Sequence, residues 1–146
     1  MSDAFSKITA ILLCVFMMFI IPVFYMREES ERLKQTYILA EVTSFVDGVR
    51  NTGILGREDY GKLEQEIFAM GGGYNIELEH SKHIHSETGE EVEYFVDRYY
   101  TEQILEHFTL DEEYRMSKND YIKIVVYDRK GNVIAWYGGS VRYEAN

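Results

Sequence analysis

The stretch Glu79-His80-Ser81-Lys82-His83-Ile84-His85-Ser86-Glu87 gathers three imidazoles and two carboxylates, with Glu77 just before it. Imidazole suits zinc, copper or nickel, so this is where a metal would be sought first. The spacing His80, His83, His85 matches no motif whose geometry a helix or turn fixes. In a strand only His83 and His85 would share a face. The stretch therefore reads as a solvated strand end and loop, with weak adventitious metal binding as the alternative. With ordinary histidine pKa values the patch would turn cationic below about pH 6.5.

No other group of residues offers clearer chemistry. Acid pairs such as Glu90-Glu91 and Asp111-Glu112-Glu113 are too numerous to single out, and they read as a solvated acidic face. There is no serine in a Gly-x-Ser-x-Gly elbow, and the single cysteine, Cys14, lies in an apolar run. Cys14 reads as a small apolar filler, with palmitoylation or an intermolecular bridge as alternatives. Gly71-Gly72-Gly73 follows a helical pattern and precedes a strand pattern, the reverse of a phosphate-binding loop, so it reads as a helix stop. The expectation is a protein that is not an enzyme, with no catalytic residues, no cofactor and no metal centre. Tyr99, Tyr100, Tyr114, Tyr121, Tyr127, Tyr137 and Tyr143 make the C-terminal half rich in tyrosine, for packing or for a protein-binding face.

The elements around these residues begin with a hydrophobic run. From Ile8 to Met26 there are 19 residues without a charge, interrupted only by Thr9 among polar side chains. As a helix rising about 1.5 Å per residue, the run would cover roughly 28 Å, close to the thickness of a bilayer's hydrocarbon. It ends in Val23-Phe24-Tyr25-Met26, bulky where signal-peptide cleavage needs small residues, so residues 1–26 read as an uncleaved membrane anchor. Pro22 is tolerable in a membrane helix, and Tyr25 would sit at headgroup level. Lys7 and the terminal amine on one side face Arg27, Arg32 and Lys34 on the other; that count favours a cytoplasmic C-terminal part.

Residues 27–146 keep 14 of the 15 basic and 24 of the 25 acidic residues, a net charge of −10. Such a part is expected to be soluble and not to bind nucleic acid. Ile38, Val42, Phe45 and Val49 form a helical stripe, so the anchor helix is expected to continue as a stem to about Arg50, stopping at Asn51-Thr52-Gly53. A second helix fits Arg57 to Met70, with Tyr60, Leu63, Ile67 and Met70 on one face. Tyr74 to Glu79 alternates as a strand, residues 81–91 read as a polar loop turning at Thr88-Gly89, and Val92 to Tyr100 as a second strand, although Glu93-Tyr94-Phe95-Val96 fits a helix nearly as well. Thr101 to Phe108 reads as a short helix capped by Thr101. Tyr121 to Tyr127 and Val133 to Tyr137 flank Asp128-Arg129-Lys130-Gly131-Asn132 as a hairpin, its first strand apolar on both faces and hence interior. The fold class is α+β: a long N-terminal helix, anchor plus stem, packed on a small antiparallel sheet with accessory helices.

Residues 45–80, "FVDGVRNTGILGREDYGKLEQEIFAMGGGYNIELEH", and 114–128, "YRMSKNDYIKIVVYD", resemble single-span proteins encoded with Tad/Flp-type pilus systems of Gram-positive bacteria. The resemblance implies a pilin-like or pseudopilin-like membrane subunit with its C-terminal domain outside the cell, opposite to the basic-residue count. It carries over no catalytic or ligand residue. Processed pilins have a glycine just before the apolar segment and a glutamate at its start; here the first glycine is Gly48 and residues 8–26 hold no acid. An uncleaved minor or assembly component fits that departure, with the membrane and other pilus or assembly subunits as partners and no small-molecule substrate. The alternative is a membrane-tethered binding or sensory module.

Overall fold

The computed structural model describes residues 2–86, 93–110 and 112–143, with backbone alone at residues 2, 83–86, 93–95 and 109–110. The chain divides into two compact units, Met1–Thr36 and Tyr37–Asn146. One helix, α1 (Ser2–Thr52), supplies all that is described of the first unit and the opening of the second, and it is unbroken at Pro22. In the first unit nearly all the described apolar side chains stand exposed, among them Ile11, Phe16, Phe19 and Phe24, with Ile20 partly covered. By length and composition this helix is able to cross a membrane. Beyond the apolar run its charges pair along the helix, Arg32 with Glu28 at 3.0 Å and Lys34 with Glu31 at 3.2 Å.

In the second unit α1 buries Ile38, Val42, Val46 and Val49, at spacings of four, four and three, while Phe45 is only partly covered. Each full burial of such a side chain stabilises by about 1.5–3 kcal/mol. The helix ends where Gly53 adopts φ 70° and its N–H donates to the Val49 carbonyl at 2.7 Å. A residue with a Cβ strains at that φ, which is why glycine stands there.

The remaining order is β1 (Ile54–Gly56), α2 (Arg57–Ala69), β2 (Asn75–Ser86), β3 (Glu93–Tyr100), α3 (Thr101–Leu110), β4 (Glu113–Arg115), β5 (Tyr121–Tyr127) and β6 (Val133–Ser140). Strands β3-β2-β5-β6 form one sheet and β1-β4 another, with every pairing antiparallel. The architecture is therefore α+β, with the long helix packed on small antiparallel sheets. Helix α2 buries Tyr60, Leu63 and Ile67, the face expected from its spacing. Strand β5 lies between β2 and β6 and buries Ile122, Ile124, Val125 and Val126, as its apolar character on both faces requires.

Two expectations need correction here. Residues 81–86 are strand, not loop, because β2 keeps pairing with β3 out to Ser86 opposite Glu93. The turn at Thr88-Gly89 lies outside the described residues. Thr101 does not cap α3: its hydroxyl accepts the Leu78 N–H at 2.8 Å, tying the helix start to β2. Gln103 reaches back instead to the Tyr100 N–H at 3.0 Å.

Candidate functional site

An open cleft of about 700 Å³ lies beside β2, β4 and the segment leading into β5, lined among others by His80, Lys82, Tyr99, His107, Tyr114 and Asp120. His80 is on its wall but belongs to the core, at 3% exposure, and Asp120 is at 2%. The reading of His80 as solvated is thus overturned. Period-two alternation places it on the same face of β2 as buried Ile76 and Leu78, and it pairs with buried Ile122.

Burial of two ionisable groups demands partners. His80 Nε2 lies 3.0 Å from Asp120 Oδ2, and Nδ1 lies 2.7 Å from the Tyr114 hydroxyl. Asp120 Oδ2 also accepts the Ser117 N–H at 2.8 Å. Tyr99 stacks on the imidazole, with centroids 5.6 Å apart and planes 22° apart, and Tyr114 meets it edge-on at 5.5 Å and 84°. His107 in turn lies edge-on to Tyr114 at 5.3 Å.

The proton positions follow from these contacts. Asp120 as a carboxylate can only accept, so Nε2–H donates to it. That leaves Nδ1 as the acceptor of the neutral ring, and Tyr114 O–H donates there. Burial, reinforced by neighbouring Tyr99 and Asp120, pushes the Tyr114 hydroxyl up to about 12, so it keeps its proton. Burial also holds His80 below its ordinary value; the hydrogen bond and charge of Asp120 oppose this and Lys82 adds to it. A neutral His80 therefore has both ring nitrogens engaged, leaving neither to hold a metal or to take a substrate proton.

His83 and His85 occupy β2 positions opposite Val96 and Tyr94, out of phase with His80. Their side chains lie outside the described residues. The three histidines are therefore not one constellation along a regular strand. Among the described residues no group of three or more His, Cys, Asp or Glu is placed to hold a metal ion.

No family model, curated protein or solved structure matches the chain.

A second polar cluster fixes the end of α1. Arg50 donates from Nε to the Ser140 carbonyl at 3.0 Å, and from Nη1 to Asp47 at 2.7 Å and the Tyr137 hydroxyl at 3.2 Å. Its own carbonyl accepts the Arg142 N–H at 2.8 Å, and the Gly53 carbonyl accepts the Met116 N–H at 2.8 Å. Gly139 leaves the room for the guanidinium, since a Cβ there would meet it.

The tyrosines divide between roles. Tyr99 and Tyr114 enclose His80, and Tyr137 serves Arg50. Tyr121 and Tyr127 share the outer sheet face with Val125, Val133 and Trp136, where Glu79 stands 3.8 Å from Arg98 and 3.5 Å from Lys123. Tyr100 and Tyr143 are exposed. Asp120 and Arg50 carry no local signature in the sequence. Continuing the alternation of β2 past Leu78 was the signal that would have found His80.

Proposed function

We propose that this protein is a single-pass membrane subunit of a surface pilus or secretion machine, non-enzymatic and pilin-like or pseudopilin-like. Residues 1–26 anchor it and the stem of α1 meets other subunits. The carrying observation is one unbroken helix, Ser2–Thr52, whose first part exposes most of its apolar side chains and whose last part contributes Ile38, Val42, Val46 and Val49 to the core of the second unit. An anchor that is also a structural member of the folded domain suits a component held in place for assembly better than an enzyme on a tether. The resemblance of residues 45–80 and 114–128 to proteins of Tad/Flp-type pilus systems supports the same reading and an extracellular C-terminal domain.

Lys130, exposed in the β5–β6 turn, suits a topology test in the Cys14→Ser background. A membrane-impermeant maleimide should label Lys130→Cys in intact cells expressing the chain. Labelling seen only after lysis rejects the extracellular placement.

A second reading, a tethered binding or sensory module, draws on the outer sheet face, where Trp136 is 57% exposed beside exposed Val133. Aromatic side chains offer large contact area at low entropic cost. If that face holds a partner, crosslinking of the full chain in its native membrane should be lost on Trp136→Ser; retention of every crosslinked species counts against it.

A further inference from the structure

His80 and its partners sit at the root of the bonds that hold the end of α1. Tyr114 is paired with Leu55 across β4 and β1, two residues before Met116, whose N–H donates to Gly53. Asp120 accepts the Val141 N–H on its own carbonyl at 2.8 Å, and Asn119 N–H donates to the Val141 carbonyl at 3.0 Å. The next residue, Arg142, bonds to Arg50. Whatever loosens Tyr114 and Asp120 therefore loosens both backbone bonds at the helix end.

One arrangement of protons satisfies every partner of His80: Tyr114 O–H to Nδ1, Nε2–H to Asp120, and Ser117 N–H to Asp120. A second proton on the ring turns Nδ1 into a donor aimed at Tyr114, whose own O–H must then swing away. It also places a charge where only 3% of the residue meets solvent.

We propose that His80, Tyr114 and Asp120 form an acid-released latch that fastens residues 114–120 and, through them, the C-terminal end of α1. It does not depend on the assembly role.

The groups facing the latch set its direction. On β2, Lys82 opposes a second charge. From β3 comes Tyr99, and from β4 Tyr114, flanked in the cleft by Glu113 and Arg115. From α3 comes His107 against Tyr114, and from the connecting segments Asp120 and Glu112. Strand β5 presents Ile122, without charge. Asp120 favours protonation, but burial outweighs it, and the closed latch prefers a neutral ring. An opened latch returns His80 to an ordinary value of about 6.5. The stabilisation is therefore complete above about pH 6.5 and is lost as pH falls from there toward the depressed value of the closed form. Within that window the opening constant rises by up to about tenfold per pH unit.

The test uses the full chain in detergent micelles, with histidine labelled for NMR and amide exchange followed at Met116 and Val141. The His80 ring should titrate below about pH 6.5. Opening at both amides, corrected for the chemical pH dependence of exchange, should rise by up to about tenfold per unit below that point. Tyr114→Phe removes the donor to the neutral ring and should move both midpoints up; Asp120→Asn removes the charge that favours protonation and should move them down. Opposed shifts are not expected of a purely structural defect. Titration of His80 at or above about 6.5, pH-independent opening, or shifts of the same sign in the two variants overturns the proposal. If Asp120→Asn does not fold, Tyr114→Phe decides alone, and an unchanged or lowered midpoint refutes the latch.

Discussion

Replacing Arg50 with methionine should cost the folded domain about 2.3–4.5 kcal/mol, counted from the bonds lost. Methionine keeps the helical stem of the side chain but removes the fork. The ion pair with Asp47 lies along the helix with Asp47 44% exposed, so it contributes only about 0.3–0.5 kcal/mol. The Nε–H donated to the Ser140 carbonyl is a charged hydrogen bond and accounts for about 1.5–3 kcal/mol. The bond to the Tyr137 hydroxyl adds about 0.5–1 kcal/mol. Urea unfolding of the full chain in micelles, followed by near-ultraviolet circular dichroism of the tyrosines, measures the loss. A drop below about 1 kcal/mol refutes the idea that Arg50 clamps the helix end to β6. Tyr137→Phe supplies the cross-check: Arg50 and Tyr137 are in contact, so the double variant should be less destabilised than the sum of the singles, by about 0.5 kcal/mol or more. Strict additivity removes that bond from the account.

Ile38→Ala should destabilise by about 2–5 kcal/mol, because Ile38 is fully buried, whereas Leu39→Ala at the next, exposed position should stay within about 0.5 kcal/mol. Equal effects in the same urea assay would mean that the stem presents a different face to the core. In the β5–β6 turn, Asp128 accepts the Lys130 and Asn132 N–H groups at 2.7 and 2.9 Å and the Asn132 side chain at 2.9 Å, and these bonds hold its carboxyl below the usual range. Its folded pKa is depressed, so its contribution is complete above about pH 3.9 and lost as pH falls through the lower folded value. The Lys130 amide resonance should titrate below about pH 3.9, and a midpoint at or above that value contradicts the turn geometry.

Much of the architecture was legible because it is written locally. The stripe ending at Val49, the glycine at position 53, and the faces of α2 and β5 follow from periodicity and from residues a few positions apart. Strands β1 and β4 were not legible: three residues are too few to show alternation, and each exists only through the other. The extension of β2 was hidden by polar residues, since Glu-His-Ser-Lys-His resembles a loop until β3 pairs with it. The polar core is the clearest case. His80 meets Tyr114 and Asp120 across 34 and 40 residues of chain, and Arg50 meets Tyr137 across 87. No spacing rule connects such positions; only the folded register does.

The two ends of that register have a consequence for how the chain acquires its structure. The α1 residues Ile38 to Val49 are made early, yet the groups that hold Arg50 and Gly53, at Met116, Tyr137, Ser140 and Arg142, are made far later. Contacts so distant in sequence form slowly, because a long loop must close before they are rewarded. A growing chain therefore carries an unburied apolar stripe beside its membrane-compatible segment until more than half of the second unit has emerged. Over that interval the stripe is open to aggregation or to capture by other chains, and the bonds from Tyr137, Ser140 and Arg142 that hold Arg50 are among the last that can form.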